Sequence, residues 1–168
     1  MKKLTEELIR NAFSGESQAH MRYLIFSEVA EREGHKNIAR LFKAISFAEF
    51  VHAKNHLMTL GIVKRSEDNL DVAIDGETYE VTEMYPGYKA VGEMQEERAA
   101  VRSYNYALEA EKIHAELYGR AKASVEKGVD IAIGKVWICP VCGHTYVGDE
   151  PPETCPVCRT KKELYIGF

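Results

Sequence analysis

The sequence predicts a mainly helical protein, a bundle of four long helices followed by a small β domain that a metal must stabilise. Three observations predict it. Apolar residues recur at helical spacing through most of the first 128 positions, with glycines punctuating the pattern. That stretch repeats internally: Glu49-Phe50-Val51-His52 returns 62 positions on as Glu111-Lys112-Ile113-His114, and Gly15-Glu16 returns 61 positions on as Gly76-Glu77. Past Gly128 the period is lost, and all four cysteines fall beyond it as two C-x-x-C pairs among short β-like runs.

The first helix runs from Leu4 to Gly34 without a proline and carries Leu8, Ile9, Ala12, Phe13, Ala19, Tyr23, Phe26 and Ala30 in helical period. Gly34 reads as its stop, and His35 or Asn37 opens the second helix, which carries Ile38, Leu41, Phe42, Ile45 and Ala48 and ends at Gly61. Residues 62 to 75 lose the period and read as a connection, so the third helix is expected to begin near Gly76. A helix of some 28 residues is about 42 Å long. Fourteen extended residues reach about 46 to 50 Å, enough to travel the length of the bundle and join two antiparallel pairs by one long crossover.

In the third helix Pro86 either bends the helix by removing a hydrogen bond or restarts it as a first residue. The break before the fourth helix lacks a glycine, but the repeat places it near Gln95-Glu96, opposite Gly34. The fourth helix runs to about Lys127-Gly128, and β-like runs follow at 129–134 and 135–139. The division expected is residues 1–134 for the bundle and 135–168 for the small domain. Thirty-four residues cannot build a sufficient core without a metal.

Positions i and i+3 of a helix share a face, so each Glu-x-x-His offers a carboxylate and an imidazole side by side. One lone Glu from each of two helices plus Glu-x-x-His from each of the other two is the ligand set of a ferritin-like di-iron bundle. The set here is Glu16, Glu49, His52, Glu77, Glu111 and His114, with Glu80 one turn beyond Glu77. Any single Glu reads as well as a solvated residue; the full set in register does not. Carboxylates can bridge two cations, and Glu49 and Glu111, central in their helices, are the natural bridges.

Cys139, Cys142, Cys155 and Cys158 form two knuckles that suit a tetrahedral site for zinc or iron. A redox site next to them favours iron; a purely structural ribbon would hold zinc. His20 and His56 have no counterpart in the repeat and read as surface residues or as partners of ligands. His35 and His144, beside glycines in turns, are expected to be solvated. Tyr23 and Tyr85 could orient ligand carboxylates or simply pack in the core.

The net charge of −4 and the lack of a basic stripe argue against a nucleic-acid or acidic-membrane partner. The N-terminal Met1-Lys2-Lys3-Leu4-Thr5-Glu6-Glu7-Leu8 turns acidic where a signal peptide would be apolar, and no run is long enough for a membrane helix. A cytoplasmic protein is expected.

Over essentially its whole length the chain resembles the rubrerythrin family. The segments that carry the resemblance are Gly15-Glu16-Ser17-Gln18-Ala19, Ala48-Glu49-Phe50-Val51-His52, Gly76-Glu77-Thr78-Tyr79-Glu80, Glu83-Met84-Tyr85-Pro86, Glu111-Lys112-Ile113-His114 and the rubredoxin-like cysteine tail. The resemblance implies a ferritin-like four-helix bundle followed by a rubredoxin-like domain. It implies a non-haem di-iron peroxidase that reduces hydrogen peroxide to water in oxidative stress defence. Two irons would sit in a carboxylate-bridged site and one in the tetracysteinate site.

By the same resemblance Glu49 and Glu111 bridge the irons, and Glu77 and His114 hold one of them. Glu16 holds the other, which takes Glu80 when oxidised and His52 when reduced. Tyr23 and Tyr85 match the family's tyrosines near the site, so Glu80, His52, Tyr23 and Tyr85 are the residues implied in the chemistry. Electrons would come from an NAD(P)H-dependent rubredoxin-type reductase or from rubredoxin. A homodimer or higher homo-oligomer is expected, since a tail must approach a di-iron site in its own chain or a neighbour's, and the family includes bundles completed by exchanged helices. The alternative is a ferritin-like iron oxidation and storage protein with a structural metal ribbon.

Overall fold

The structure is a computed structural model and describes residues 1–168. Two compact units make up the chain, Met1–Lys64 and Arg65–Phe168.

The first unit is a helical hairpin of α1 (Lys3–Arg32) and α2 (Lys36–Thr59). Its turn follows from Gly34, which sits at φ +82°. There the amide of His35 donates to the carbonyl of Ala30 and that of Gly34 to Glu31, a Schellman close that satisfies the last carbonyls of α1. The seam between the helices is built from small residues: Ala19, Ser27 and Ala30 face Ala39, Ser46 and Ala53. The second set recurs every seven positions, so it stays on one face. Small side chains let the backbones approach, and two serines cross the seam: Ser27 Oγ donates to Ala39 O at 2.9 Å and Ser46 Oγ to His20 O at 2.9 Å. Larger apolar residues, among them Met21, Ile25, Ile38, Leu41 and Phe47, stay exposed, because two helices can bury only the stripe each turns to the other.

The second unit begins with α3 (Ser66–Tyr79), ten residues earlier than the sequence suggests. The polar run Ser66-Glu67-Asp68-Asn69 resembles a loop, but acidic residues in a first turn complement the helix dipole. Leu70, Ala73, Ile74 and Glu77 then lie half-buried at helical spacing. Lys122 pairs with Asp71 and ties this extra length to the last helix. The connection is therefore the six residues Leu60–Arg65, not fourteen, and the long crossover expected from the sequence is absent.

At Glu80–Met84 the helix widens into a π-helical turn, then resumes as α4 (Tyr85–Met94) with Pro86 in its first turn. The Tyr85 amide donates to Glu80 O, five residues back. The proline thus changes the winding; the helix neither stops nor keeps its α geometry. The next break falls at Gln95–Glu97, where the repeat puts it. Glu96 adopts φ 58° in the place of a glycine, and the Glu97 amide donates to Gly92 O at 2.9 Å, the same close as at Gly34. Helix α5 (Arg98–Val125) follows and is closed in turn at Gly128, φ +72°.

Residues 129–134 form no strand, contrary to their β-like composition, since no partner strand lies beside them. The sheet that does form is antiparallel, ordered β2–β1–β3 from β1 (Val136–Ile138), β2 (Thr145–Val147) and β3 (Ile166–Gly167). Its core is the cysteine cluster with Tyr165, against which Trp137 and Tyr106 of α5 pack. No helix is long and apolar enough to cross a membrane.

Candidate metal centres

In the first unit Glu16 comes from α1 and Glu49 and His52 from α2. Their ligating atoms lie within 4.8 Å of one another. His52 Nδ1 is 2.9 Å from Glu49 Oε2, which is the i, i+3 pairing that the motif implies. The His52 side chain is 53% exposed, and its Nε2 has no hydrogen bond.

The second unit repeats the arrangement with Glu77 from α3 and Glu111 and His114 from α5, again within 4.8 Å. His114 Nδ1 lies 2.5 Å from Glu111 Oε2 and 4.0 Å from Glu77 Oε2. Unlike His52, this ring is held at both ends: Nε2 is 2.7 Å from Thr145 Oγ1 in β2. Burial, then the hydrogen bond and charge of Glu111, push the Glu77 carboxyl up to about 7, with His114 pulling the other way. Burial and the charge of Glu77 raise Glu80 as well, again offset by His114. Tyr85 is raised by burial and then by the charges of Glu80, Glu111 and Glu77, which sets its hydroxyl within their field. Carboxylates crowded and partly desolvated in this way resist ionising together, and a bound cation removes that conflict. Oxygen-rich donors with one imidazole per group suit iron.

The third group is the cage of Cys139, Cys142, Cys155 and Cys158, also within 4.8 Å. The contacts run between knuckles, Cys139 to Cys158 at 3.5 Å and Cys142 to Cys155 at 3.6 Å. A tetrahedron with metal–sulfur bonds of about 2.3 Å has edges of about 3.8 Å, so the cage is preformed for one ion. Burial pushes the Cys142 thiol up. Burial opposes ionisation at Cys155 too, but the amides of Cys158 and Val157 and the Tyr165 hydroxyl outweigh it and hold this thiol at about 6. Cys155 therefore sheds its proton readily, whereas at Cys142 a bound cation would have to displace it.

The remaining candidates fall outside these groups. His20 spans the α1–α2 seam, its Nδ1 2.8 Å from Ser46 O and 3.0 Å from Ser46 Oγ, so it acts on packing. His56 is half-buried one turn past His52, and His35 is exposed before α2. His144 is not solvated as its turn suggests but buried, with Nδ1 3.2 Å from the Tyr165 hydroxyl, and burial lowers its pKa. The Tyr23 ring packs on Phe26 and Phe42, and the Tyr85 ring on Tyr88 and Tyr104. Sequence reasoning misses Thr145 altogether: its partner lies 31 positions away and no motif links them.

Comparison with known proteins agrees with this geometry. The family model described as Rubrerythrin matches residues 7–122, and the one described as Rubrerythrin, rubredoxin-like domain matches residues 137–165. Rubrerythrin-2 of Clostridium acetobutylicum is 48% identical, over 98% of this chain and 97% of its own length. Nigerythrin of Nitratidesulfovibrio vulgaris is 29% identical over 98% of this chain and 86% of its own. Among solved structures, fully reduced, all-ferrous nigerythrin matches with a TM-score of 0.57 at 29% identity, over 98% of this chain and 86% of that one.

Proposed function

The chain belongs to the rubrerythrin family, and from that premise we propose that it is a peroxidase that reduces hydrogen peroxide to water. The family's metal complement, a di-iron site of Glu and His groups and a rubredoxin-type tetracysteine iron, fits the donor sets described above. Peroxide reduction consumes two electrons and two protons and yields two waters. A bound diferrous pair would supply both electrons, one from each iron, without release of a one-electron radical.

In this reading Glu49 and Glu111 would be the ligands shared by both irons, Glu77 and His114 would hold one iron, and Glu16 would hold the other. Glu80 would serve that second iron in the ferric state, since a carboxylate offsets the added charge better than a neutral imidazole. His52 would take its place in the ferrous state. The ring of His52, held at one end only by its neighbour Glu49 and 53% exposed, suits a ligand that exchanges. Tyr85 lies in the field of Glu77, Glu80 and Glu111 and can steady their orientation; Tyr23 has the matching place by sequence. Residues 135–168 form the electron-receiving domain and residues 1–134 the di-iron bundle. The donor is rubredoxin or an NAD(P)H-dependent rubredoxin-type reductase, the compartment the cytoplasm, and the working form a homodimer or higher homo-oligomer.

One observation carries the choice of peroxidase over iron storage. The tetracysteine domain contacts ligand-bearing helix α5 at His114 itself, an arrangement that a redox partner needs and a structural ribbon does not. Stopped-flow mixing of the reduced protein with each oxidant tests it. The diferrous form should react faster with peroxide than with dioxygen; the reverse preference would move the protein to iron oxidation and storage.

A further inference from the structure

The two Glu-x-x-His motifs are alike in sequence but not in their surroundings. Thr145 is 4% exposed and has one hydroxyl proton to give. It donates that proton to Gly143 O at 3.2 Å, next to the ligand Cys142. With its proton given to Gly143 O, Thr145 Oγ1 is free to accept from His114 Nε2–H across 2.7 Å, the tautomer that leaves Nδ1 for a metal. A neutral imidazole protonated at Nε2 has its lone pair at Nδ1, the atom that faces Glu111 and Glu77. The bond lies along an apolar groove of about 320 Å³ lined also by Leu117, Ile131, Ile133, Val136 and Ile138, which offer the ring no competing polar partner. His52 has no such acceptor.

We propose that Thr145 is a positioning residue: its hydroxyl fixes the tautomer and ring orientation of His114, making this a permanent ligand position while the matching His52 position stays free to exchange. The proposal rests on the assignment of His114 as an iron ligand. A hydroxyl contributed by the tetracysteine domain thereby makes two sequence-equivalent half-sites unequal. Hydrogen bonds of this kind to a metal-bound histidine are worth about ten- to a hundredfold in metal retention.

The test uses the full-length protein with Thr145→Val, which keeps the branched shape of the strand residue, and Thr145→Ser, which keeps the hydroxyl. Iron release from the reduced protein to a ferrous chelator should be biphasic in the wild type. Thr145→Val should speed the slow phase at least tenfold and leave the fast phase alone, and Thr145→Ser should restore it. In zinc-substituted, ¹⁵N-histidine-labelled full-length protein, His114 should show a protonated Nε2 that exchanges slowly with water, and the Val variant should lose that protection. Wild-type release and exchange in the Val variant would overturn the proposal, as would a Ser variant no better than Val. If Val also bleaches the tetracysteinate colour, its domain is disturbed and the Ser variant decides: colour and slow phase both kept support the role, colour kept with the slow phase lost overturns it. A His114→Ala chain that still binds both irons would instead reject the ligand assignment beneath it.

Discussion

At the scale of single residues, Glu80 is the one expected to separate the two chemistries open to a ferritin-like ligand set. It stands at the start of the π-helical turn, where the wider winding changes the direction of side chains relative to a plain α-helix. Glu77, one turn before it, already crowds the same space and raises its pKa. Replacing Glu80 with Ala should leave iron binding near wild type, since the other carboxylates and both histidines remain, but slow peroxide turnover at least tenfold. Iron analysis beside anaerobic stopped-flow kinetics checks it, and an unchanged peroxide rate would remove Glu80 from the mechanism. The ligand candidates themselves were legible in the sequence because each Glu-x-x-His pair is local, set by one helical turn. Thr145 and the burial of His144 were not, because both depend on contacts between segments far apart in the chain.

At the scale of elements, what could be read was what has a local cause. Gly34, Gly61 and Gly128 mark three helix ends, and the repeat placed the fourth at Glu96. The start of α3 was obscured because Ser66-Glu67-Asp68-Asn69 favours a loop and an acidic helix start equally well. The strand expected at 129–134 failed because β-like composition cannot supply a neighbouring strand. Gly34 and Glu96 make the same turn with different residues, so their exchange should act with opposite signs. Gly34→Ala meets no atom within 4 Å but forces a side chain to φ +82°. That should cost about 1 kcal/mol and lower Tm by about 2–4 °C. Glu96→Gly relieves the same strain and should raise Tm, by less because glycine also loosens the unfolded chain. Thermal unfolding of the iron-loaded variants checks both; a stabilised Gly34→Ala would refute the turn argument.

At the scale of the whole molecule, the short connection decides how four helices can be assembled. Ferritin-like connectivity needs the second and third helices to run in the same sense, joined by a crossover along the bundle. Along the axis that crossover covers about 10 Å from His52 to the end of α2 and about 16 Å from the start of α3 to Glu77, at 1.5 Å per residue. A sideways step of 8–10 Å to the next helix adds to it. Leu60 and Gly61 are spent in the turn that ends α2, with Gly61 at φ +67°, so only Ile62–Arg65 are left to extend. At 3.3–3.6 Å per residue these reach about 13–14 Å, too little for the crossover. We therefore expect the helix pair that completes each di-iron site to come from a second copy in a two-fold dimer. Glu49→Ala and Glu111→Ala each remove a bridging carboxylate from every site of a homodimer, so each variant alone should be inactive. Produced together, their mixed dimers would hold one site with both lesions and one with neither. Random pairing then restores about a quarter of wild-type sites, read as iron content and peroxide turnover. If each site were built within one chain, every site in the mixture would carry one lesion and nothing would return.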